Sequence, residues 1–389
     1  MRGYLSRMAQ SQKEYPQCRC RRRDDELIDV TELHACSLRC AYLPLQTYKE
    51  ADKRWNDRML GMICFSSRSA DIGLTATNLP VASVRMAALD STGAACEVWC
   101  ADGAVAYGMQ DGIRYGHDDN ILFGAIQLSE AQFDIEAGQL AGKTPLQQTA
   151  ESAYRAIFQL ADSLGFPHIL RFWNYVADIT GESHGMERYR QFNIGRQDGF
   201  LNSGRTVVGK SVPAASAVGS EDGPLTVCFI AGRGAPPVAI ENPRQVSAYR
   251  YPQEYGPRSP TFSRASVAYP GDDPILFLSG TASIVGHRTL HAGDVVAQTR
   301  ETLANIAAMV DEANRVAPEA RFALENLCYK VYVRHEKDLP AIETELRRAL
   351  GYSARLLFLK ADICRLDLLL EIEAMAGHPL EFAISQTCA

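Results

Sequence analysis

Apolar and polar positions in this 389-residue chain follow two periods, and the periods recur in the same order in each half. Strand-like runs, rich in β-branched and aromatic residues, lie at 121–128 and 168–176. Between them Leu146, Ala150, Ala153, Ile157, Leu160 and Leu164 recur at helical spacing. Thr144 is placed to cap this helix, Pro145 sits in its first turn and Gly165 stops it. The second half uses the same grammar. Strands are predicted at 225–231, 274–285, 327–333, 355–363 and 368–374. A helix is predicted over 293–316, with Val296, Leu303, Ile306, Ala307 and Val310 on its inner face. Another follows Asp338, with Pro340 just inside its start and Gly351 at its end. The segment His168-Ile-Leu-Arg-Phe-Trp-Asn-Tyr-Val of one half answers Asn326-Leu-Cys-Tyr-Lys-Val-Tyr-Val of the other. An α+β unit that occurs twice is the expectation.

Residues 1–70 show little of either period and are expected to be a poorly ordered extension. An N-terminal domain at 71–222 and a C-terminal domain at 223–389 would follow, joined through 205–223, a stretch short of large apolar residues that reads as a loop or linker. Cys18, Cys20, His34, Cys36 and Cys40 in the extension invite a zinc reading. Their spacings are C-x-C and C-x3-C, not the usual C-x2-C, so no metal is expected there.

Composition narrows the class. Hydrophobic residues make up 46% and charged residues 22%, the balance of a globular protein with a sizeable core. No run of apolar residues is long enough to span a bilayer, and no apolar stretch follows Met1 as in a secretory signal. Eleven scattered cysteines then read as reduced thiols, and a cytoplasmic location is expected. The net charge of -6 gives no support for nucleic-acid binding, so an anionic ligand has to be held by local arginines.

Two phosphate-binding patterns fail on context. Gly204-Arg-Thr-Val-Val-Gly209-Lys210-Ser211 matches the P-loop spacing. That chemistry needs a strand before the loop and a helix after it, and here no apolar strand precedes it and Pro213 follows. Gly232-Arg-Gly234 follows a strand, but Pro236 and Pro237 block the helix that a dinucleotide fingerprint requires, leaving a turn.

Two segments hold the candidate chemistry. The first, 248–264, sets Arg250, Arg258 and Arg264 among Tyr249, Tyr251 and Tyr255 in a proline-stiffened loop. Guanidinium forks suit carboxylates, although a solvated loop would look the same. The second is the final pair of strands, one beginning at Arg355 and the other carrying Glu371 and Glu373. A period of two puts both carboxylates on one face, with Leu370, Ile372 and Ala374 on the other. A carboxyl beside so apolar a run can stay protonated and act as a general acid. The competing reading is the polar outer face of an edge strand.

A family resemblance favours the first of these. Ser353-Ala-Arg355, followed by Leu370-Glu371-Ile-Glu373-Ala-Met-Ala376, resembles the closing signature of the RidA (YjgF) superfamily, and Tyr329-Lys330-Val-Tyr-Val333 and Phe277-Leu-Ser-Gly280-Thr-Ala282-Ser resemble it too. Glu187-Arg-Tyr-Arg-Gln-Phe-Asn-Ile-Gly-Arg196 and Arg250-Tyr-Pro-x2-Tyr-Gly-Pro-Arg-Ser-Pro-x-Phe-Ser-Arg264 are similar to segments of the chorismatases. Those enzymes carry a RidA-like second domain and a diverged copy as the first, with mixed sheets packed on helices. The likeness runs from about Thr75 to the C-terminus.

The resemblance implies removal of pyruvate from chorismate, with Glu371 as the acid and Arg355, Arg250, Tyr251, Tyr255, Arg264 and Gly280 binding substrate. Cys364 stands seven residues before Glu371, as in the branches that form 3-hydroxybenzoate, among them the bifunctional xanthomonad branch that also yields 4-hydroxybenzoate. Cysteine at that place has a plainer reading as a small buried hydrophobe. The alternatives are a chorismate hydrolase that gives a cyclohexadiene diol, a RidA-type imine hydrolase and, from another class, a P-loop nucleotide-binding protein. No metal or organic cofactor is expected, since the chemistry supports no redox change or carbanion. The expected partner is the small-molecule substrate alone, with no nucleic acid and no membrane; monomer and homo-oligomer both stay open.

Overall fold

A computed structural model of the chain describes residues 38–50, 57–68, 78–89, 93–134 and 142–379. The elements run β1 (Leu38–Pro44), α1 (Leu45–Glu50), β2 (Met59–Ser66), β3 (Val81–Arg85), β4 (Ala94–Ala101), β5 (Ala106–Gln110), β6 (Ile113–His117), β7 (Ile121–Leu128), α2 (Ala131–Asp134), α3 (Pro145–Ser163) and β8 (His168–Ala177). A short hairpin, β9 (Glu182–Ser183) and β10 (Met186–Glu187), leads into α4 (Arg188–Asn202), β11 (Ala214–Ser220) and β12 (Leu225–Gly232). Then come β13 (Val238–Ile240), β14 (Ala265–Ala268), β15 (Ile275–Thr281), the hairpin β16 (Ile284–Val285) and β17 (Arg288–Thr289), α5 (Val295–Val316), β18 (Cys328–Val333), α6 (Leu339–Leu350), β19 (Arg355–Lys360), β20 (Leu370–Ala376) and β21 (His378–Pro379).

The duplication is visible in the topology. The first six-stranded sheet has the order β5-β6-β7-β12-β8-β11 and the second β13-β14-β15-β20-β18-β19. In each, three antiparallel strands are followed by a helix, a central strand, a helix, an edge strand parallel to the central one, and a last strand inserted between the third and the central. The register aligns the copies residue by residue. Arg171 pairs with Ala214 as Cys328 pairs with Arg355, so Trp173 answers Lys330 and Tyr175 answers Tyr332. Across the next ladder, Thr226 opposes Tyr175 where Glu371 opposes Tyr332.

Each copy packs one face on its helices. Leu146, Ala150, Tyr154, Ile157 and Phe158 of α3 cover the first sheet, and Leu303, Ile306, Met309 and Val310 of α5 cover the second. Helix α3 starts as its sequence requires: the Thr144 side chain accepts from the Gln147 amide, and the Gln147 side chain accepts from the Thr144 amide. The opposite faces of both sheets, and one face of a five-stranded sheet ordered β21-β1-β4-β2-β3, close on a shared central core. One ring from each sheet meets there: Trp99 of β4 lies 5.3 Å from Trp173 of β8 and 6.4 Å from Phe277 of β15.

Three expectations about organisation change. Residues 38–66, read as part of an extension, include β1, α1 and β2, and both strands are largely buried. A strand covered on both faces carries a continuous apolar run, so the period of two that would mark it is missing. Leu225–Gly232 closes the first copy, not the second, which moves the boundary into 233–237. Within the supposed linker, β11 is fully buried, and its run of Ala, Ser and Gly fits where chain packs against chain. Gly219 exchanges backbone hydrogen bonds with Asp362 of the second copy. Of the zinc candidates, Cys40 is buried in β1 as a free thiol, and Cys18, Cys20, His34 and Cys36 lie outside the described residues. Among the described residues no group of His, Cys, Asp and Glu is arranged to hold a metal, and no helix is long and apolar enough to cross a membrane.

Neither phosphate pattern acquires its context. Gly204–Ser211 follows helix α4 and precedes strand β11, the reverse of a P-loop, and Gly232 ends β12 with Arg233 and Gly234 in a bend that no helix follows.

Candidate active site

A cavity of about 290 Å³ opens between the two copies. The first copy supplies Glu187 from the end of β10, Tyr189, Arg190 and Arg196 from α4, and Ala215, Ser216 and Ala217 from β11. The second supplies Tyr251, Tyr255, Phe262 and Arg264 from the long loop before β14, Gly280 from β15, and Cys364, Arg365, Leu366 and Asp367 from the turn before β20. Glu371 of β20 forms its floor.

The carboxylate strand is central, not an edge. β20 lies between β15 and β18, with Leu370, Ile372 and Ala374 turned to the helices and Glu371 and Glu373 turned inward. Glu371 is only 5% exposed. Burial, with the neighbouring Glu373 charge, pushes its pKa up to about 8 against the pull of Arg171 and Arg264. It therefore holds a proton at neutral pH. Cys364 lies 4.0 Å away, its thiol directed at Glu371 Oε2. Burial and the Glu371 charge push that thiol up to about 12, so it stays an S–H donor.

Gly280 makes room for the acid. A Cβ on residue 280 would stand 1.9 Å from Glu371 Oε1. Gly280→Ala is expected to displace the carboxyl and lower turnover by about 10²-fold with the fold intact. Steady-state kinetics beside circular dichroism checks this, and an unimpaired kcat would detach Gly280 from the acid.

Two buried arginines face the same space. Arg264, 4% exposed, donates from Nη2 to Val246 O at 2.8 Å and to the Tyr251 hydroxyl at 2.7 Å, and packs on the Tyr251 and Phe262 rings. Its buried Nε–H has no acceptor in the protein. Arg196, 1% exposed, donates to Asn193 Oδ1 at 2.8 Å and likewise has an unsatisfied Nε–H. Both side chains line the cavity, where a guanidinium fork suits an anionic ligand. At the mouth, Arg365 stacks on Tyr255 with its carbon 4.2 Å from the ring centroid and donates to His287 O at 2.9 Å.

Six of the eight residues expected at the site come together: Glu371, Cys364, Tyr251, Tyr255, Arg264 and Gly280. Two do not. Arg355 is exposed at the start of the edge strand β19, with its Nη1 3.7 Å from Cys328 Sγ, and the guanidiniums of the cavity come instead from Arg190, Arg196, Arg264 and Arg365. Arg250 is exposed on its 3-10 turn over the Tyr249 ring. Sequence reasoning missed every residue that the first copy contributes, and Phe262 and Arg365 of the second. Helix α4 shows no apolar stripe and contains two glycines, and Gly195 is required where α4 crosses α3, since a Cβ there would meet Gln147 O at 2.1 Å. Its buried polar run Gln191, Asn193, Arg196 and Gln197 was the available signal.

A curated chorismatase from Streptomyces rapamycinicus is 39% identical over 287 residues, covering 72% of this chain and 82% of that protein. The chain belongs to the chorismatase family. A model described as "Chorismatase FkbO/Hyg5-like, N-terminal" matches residues 97–231, a span that ends within β12 and so encloses the first copy's sheet. A 3-hydroxybenzoate synthase from Streptomyces hygroscopicus is 37% identical over 289 residues, 72% of this chain and 80% of that one. A crystal structure of a chorismatase superposes with a TM-score of 0.78 at 32% identity, covering 89% of this chain and all of that one. Family membership makes the chain an enzyme of the chorismatase and 3-hydroxybenzoate synthase type.

Proposed function

We propose that this chorismatase removes pyruvate from chorismate by protonation of the enolpyruvyl group and releases mainly 3-hydroxybenzoate. The observation that carries the reading is a carboxyl, Glu371, kept protonated in a cavity that Arg264 and Arg196 also line. Chorismate has two carboxylates, which suit Arg264 and Arg196, with Arg365 and the Tyr251 and Tyr255 phenols at the entrance. A net charge of -6 makes such local clamps necessary.

Glu371 gives its proton to the terminal methylene of the vinyl ether, leaving an oxocarbenium ion beside the new carboxylate. That cation makes pyruvate a good leaving group at ring C3. The ring's own C4 hydroxyl then attacks C3 as the C3–O bond breaks, the ether oxygen becomes the pyruvate carbonyl, and the hydroxyl proton returns to Glu371. Opening of the strained ring oxide with loss of the C3 proton gives 3-hydroxybenzoate, with no water consumed overall. Loss of the C4 proton together with the C3–O bond gives 4-hydroxybenzoate instead. Attack by water gives the diol. Beside the acid stands Cys364, a weakly polar group that orders a water poorly, and Ala282, Ile284 and Phe262 add apolar surface to the cavity. The likeness to a 3-hydroxybenzoate synthase supports the same product.

Incubating the purified protein with chorismate and separating the products tests the reading. Equimolar pyruvate and 3-hydroxybenzoate is the expected result, and no release of pyruvate would overturn it. In Cys364→Ala, the space left by sulfur beside Glu371 admits a water. The mixture should shift toward the diol while chorismate consumption changes little. An unaltered ratio would make Cys364 a packing residue only.

A further inference from the structure

Behind the acid lies a set of buried charges that the proposed reaction does not touch. Lys330 of β18 has no exposed surface, and its Nζ lies between Glu373 of β20, at 2.6 Å, and Glu97 of β4. Arg171 of β8 reaches Glu373 from the other copy at 2.9 Å, and Trp173 Nε1 donates to the same carboxylate at 2.9 Å. The same Arg171 Nη2 donates to Ser216 Oγ, at 3.2 Å, in the cavity wall. All three sheets thus meet at Glu373, which points inward two residues along β20 from Glu371.

We propose that Glu373 is a positioning residue for the acid: it is locked as an anion by Lys330 and Arg171, and its charge opposes ionisation of Glu371 and keeps the catalytic proton in place. The inference rests on the reading of Glu371 as the proton donor. Burial alone would neutralise Glu373, but Lys330 and Arg171 outweigh it and hold the carboxyl below its usual range. Burial likewise opposes the charge of Lys330, and Glu373 and Glu97 reverse this and raise its pKa. Other groups also face Glu371: Cys364 from the preceding turn, Tyr332 across the ladder, Arg171 from β8, Tyr189 and Arg196 from α4, and Arg264 and Arg365 from the loops. Among these Glu373 is the buried anion fixed by two cations. The duplicated copy provides an internal control. The register places Thr226, Cys228 and Trp173 where the second copy has Glu371, Glu373 and Lys330, so acid, anion and cation are present as a set in one copy and absent as a set in the other.

The test is the pH profile of kcat/KM together with a direct titration. In Glu373→Gln the basic limb should move down by about one pH unit or more, since the neighbouring charge is gone. Glu373→Asp, which keeps the anion, should leave the limb near its original place even if the rate falls. Because the glutamine variant leaves two buried cations facing Glu97 alone, Lys330→Met/Glu373→Gln removes an ion pair as a unit and should shift the limb in the same direction. Infrared difference titration against a Glu371→Gln background reads the protonation of Glu371 without turnover. A Glu371 titration that stays in place in the glutamine and double variants overturns the inference. A shifted titration in an enzyme whose turnover survives Glu371→Gln would retain the network and overturn only the acid assignment.

Discussion

Glu371→Gln should bind chorismate nearly as the parent does and release pyruvate at least about 10²-fold more slowly. The amide preserves volume and accepts from the Cys364 thiol, but it has no proton to give to a vinyl carbon. Steric fit gives no reason for a loss on this scale: the substitution is isosteric, and Gly280 leaves the same space above either side chain. A binding role would raise KM with kcat retained, whereas a proton-donating role lowers kcat with KM near its original value. The parent enzyme should reveal the same group through pH. With the pKa of Glu371 raised to about 8, the protonated form is complete well below that value and disappears above it. Turnover should therefore hold across neutral pH and decline as pH rises through about 8, and the residual activity of Glu371→Gln should lack that limb. Pyruvate release at the parent rate from the variant would remove the acid from the mechanism.

The second large effect concerns stability. Lys330→Met replaces a fully buried ammonium with a side chain of similar length and leaves Glu97 and Glu373 in the core without their shared cation. Breaking a buried pair from one side costs about 3–5 kcal/mol, because the remaining charge is neither solvated nor compensated. Arg171 still reaches Glu373, so the orphaned charge is chiefly that of Glu97, whose own pKa burial already raises against the pull of Lys330. The pH dependence has a definite sign. In the variant these carboxyls take up protons in the folded state above the unfolded value of about 4.3, so the defect should be smallest in mild acid and grow toward neutrality. Denaturant melts of parent and variant at two pH values measure both quantities. A loss below about 1 kcal/mol at neutral pH would show that the three sheets do not depend on this cation.

How legible the molecule was in its sequence depended on whether each face had one environment or two. Helix α3 and strand β20 each have a polar side and an apolar side, so their periods and the α3 cap could be read directly, while the alternation alone left open whether the β20 carboxylates faced inward or outward. β1 and β2 are covered on both faces by the central and outer cores, so they carry no alternation to read. β11 and α4 are built from small and polar residues because they pack against another chain segment at close range, and propensity describes them poorly. The site followed the same rule. Tyr251, Tyr255, Arg264 and Glu371, which line the cavity from the second copy, stood out in their local sequence, whereas Arg365 did not. Tyr189, Arg196 and Ser216 reach the cavity only when two distant segments associate, which no local pattern records. Arg355 shows the converse: its neighbourhood in sequence is distinctive, but β19 is an edge strand and places it outside this cavity.

Joining the two units in one chain has a consequence for how such a cleft can change. An assembly of identical protomers would carry every substitution into all of its clefts at once, and a residue useful on one wall would be imposed on the opposite wall too. Here the walls vary independently. Glu371 stands on one side, while its counterpart Thr226 has become a structural group that accepts from Gln127 Nε2 at 3.0 Å, the same amide donating to Ser83 O in the five-stranded sheet. The first copy contributes arginine and tyrosine from α4, and the second contributes Glu371 and the aromatic loop. Divergence of that kind is open only to unlike halves of one chain, and it lets the two walls of this cavity differ, with Glu371 on one and Arg196 on the other.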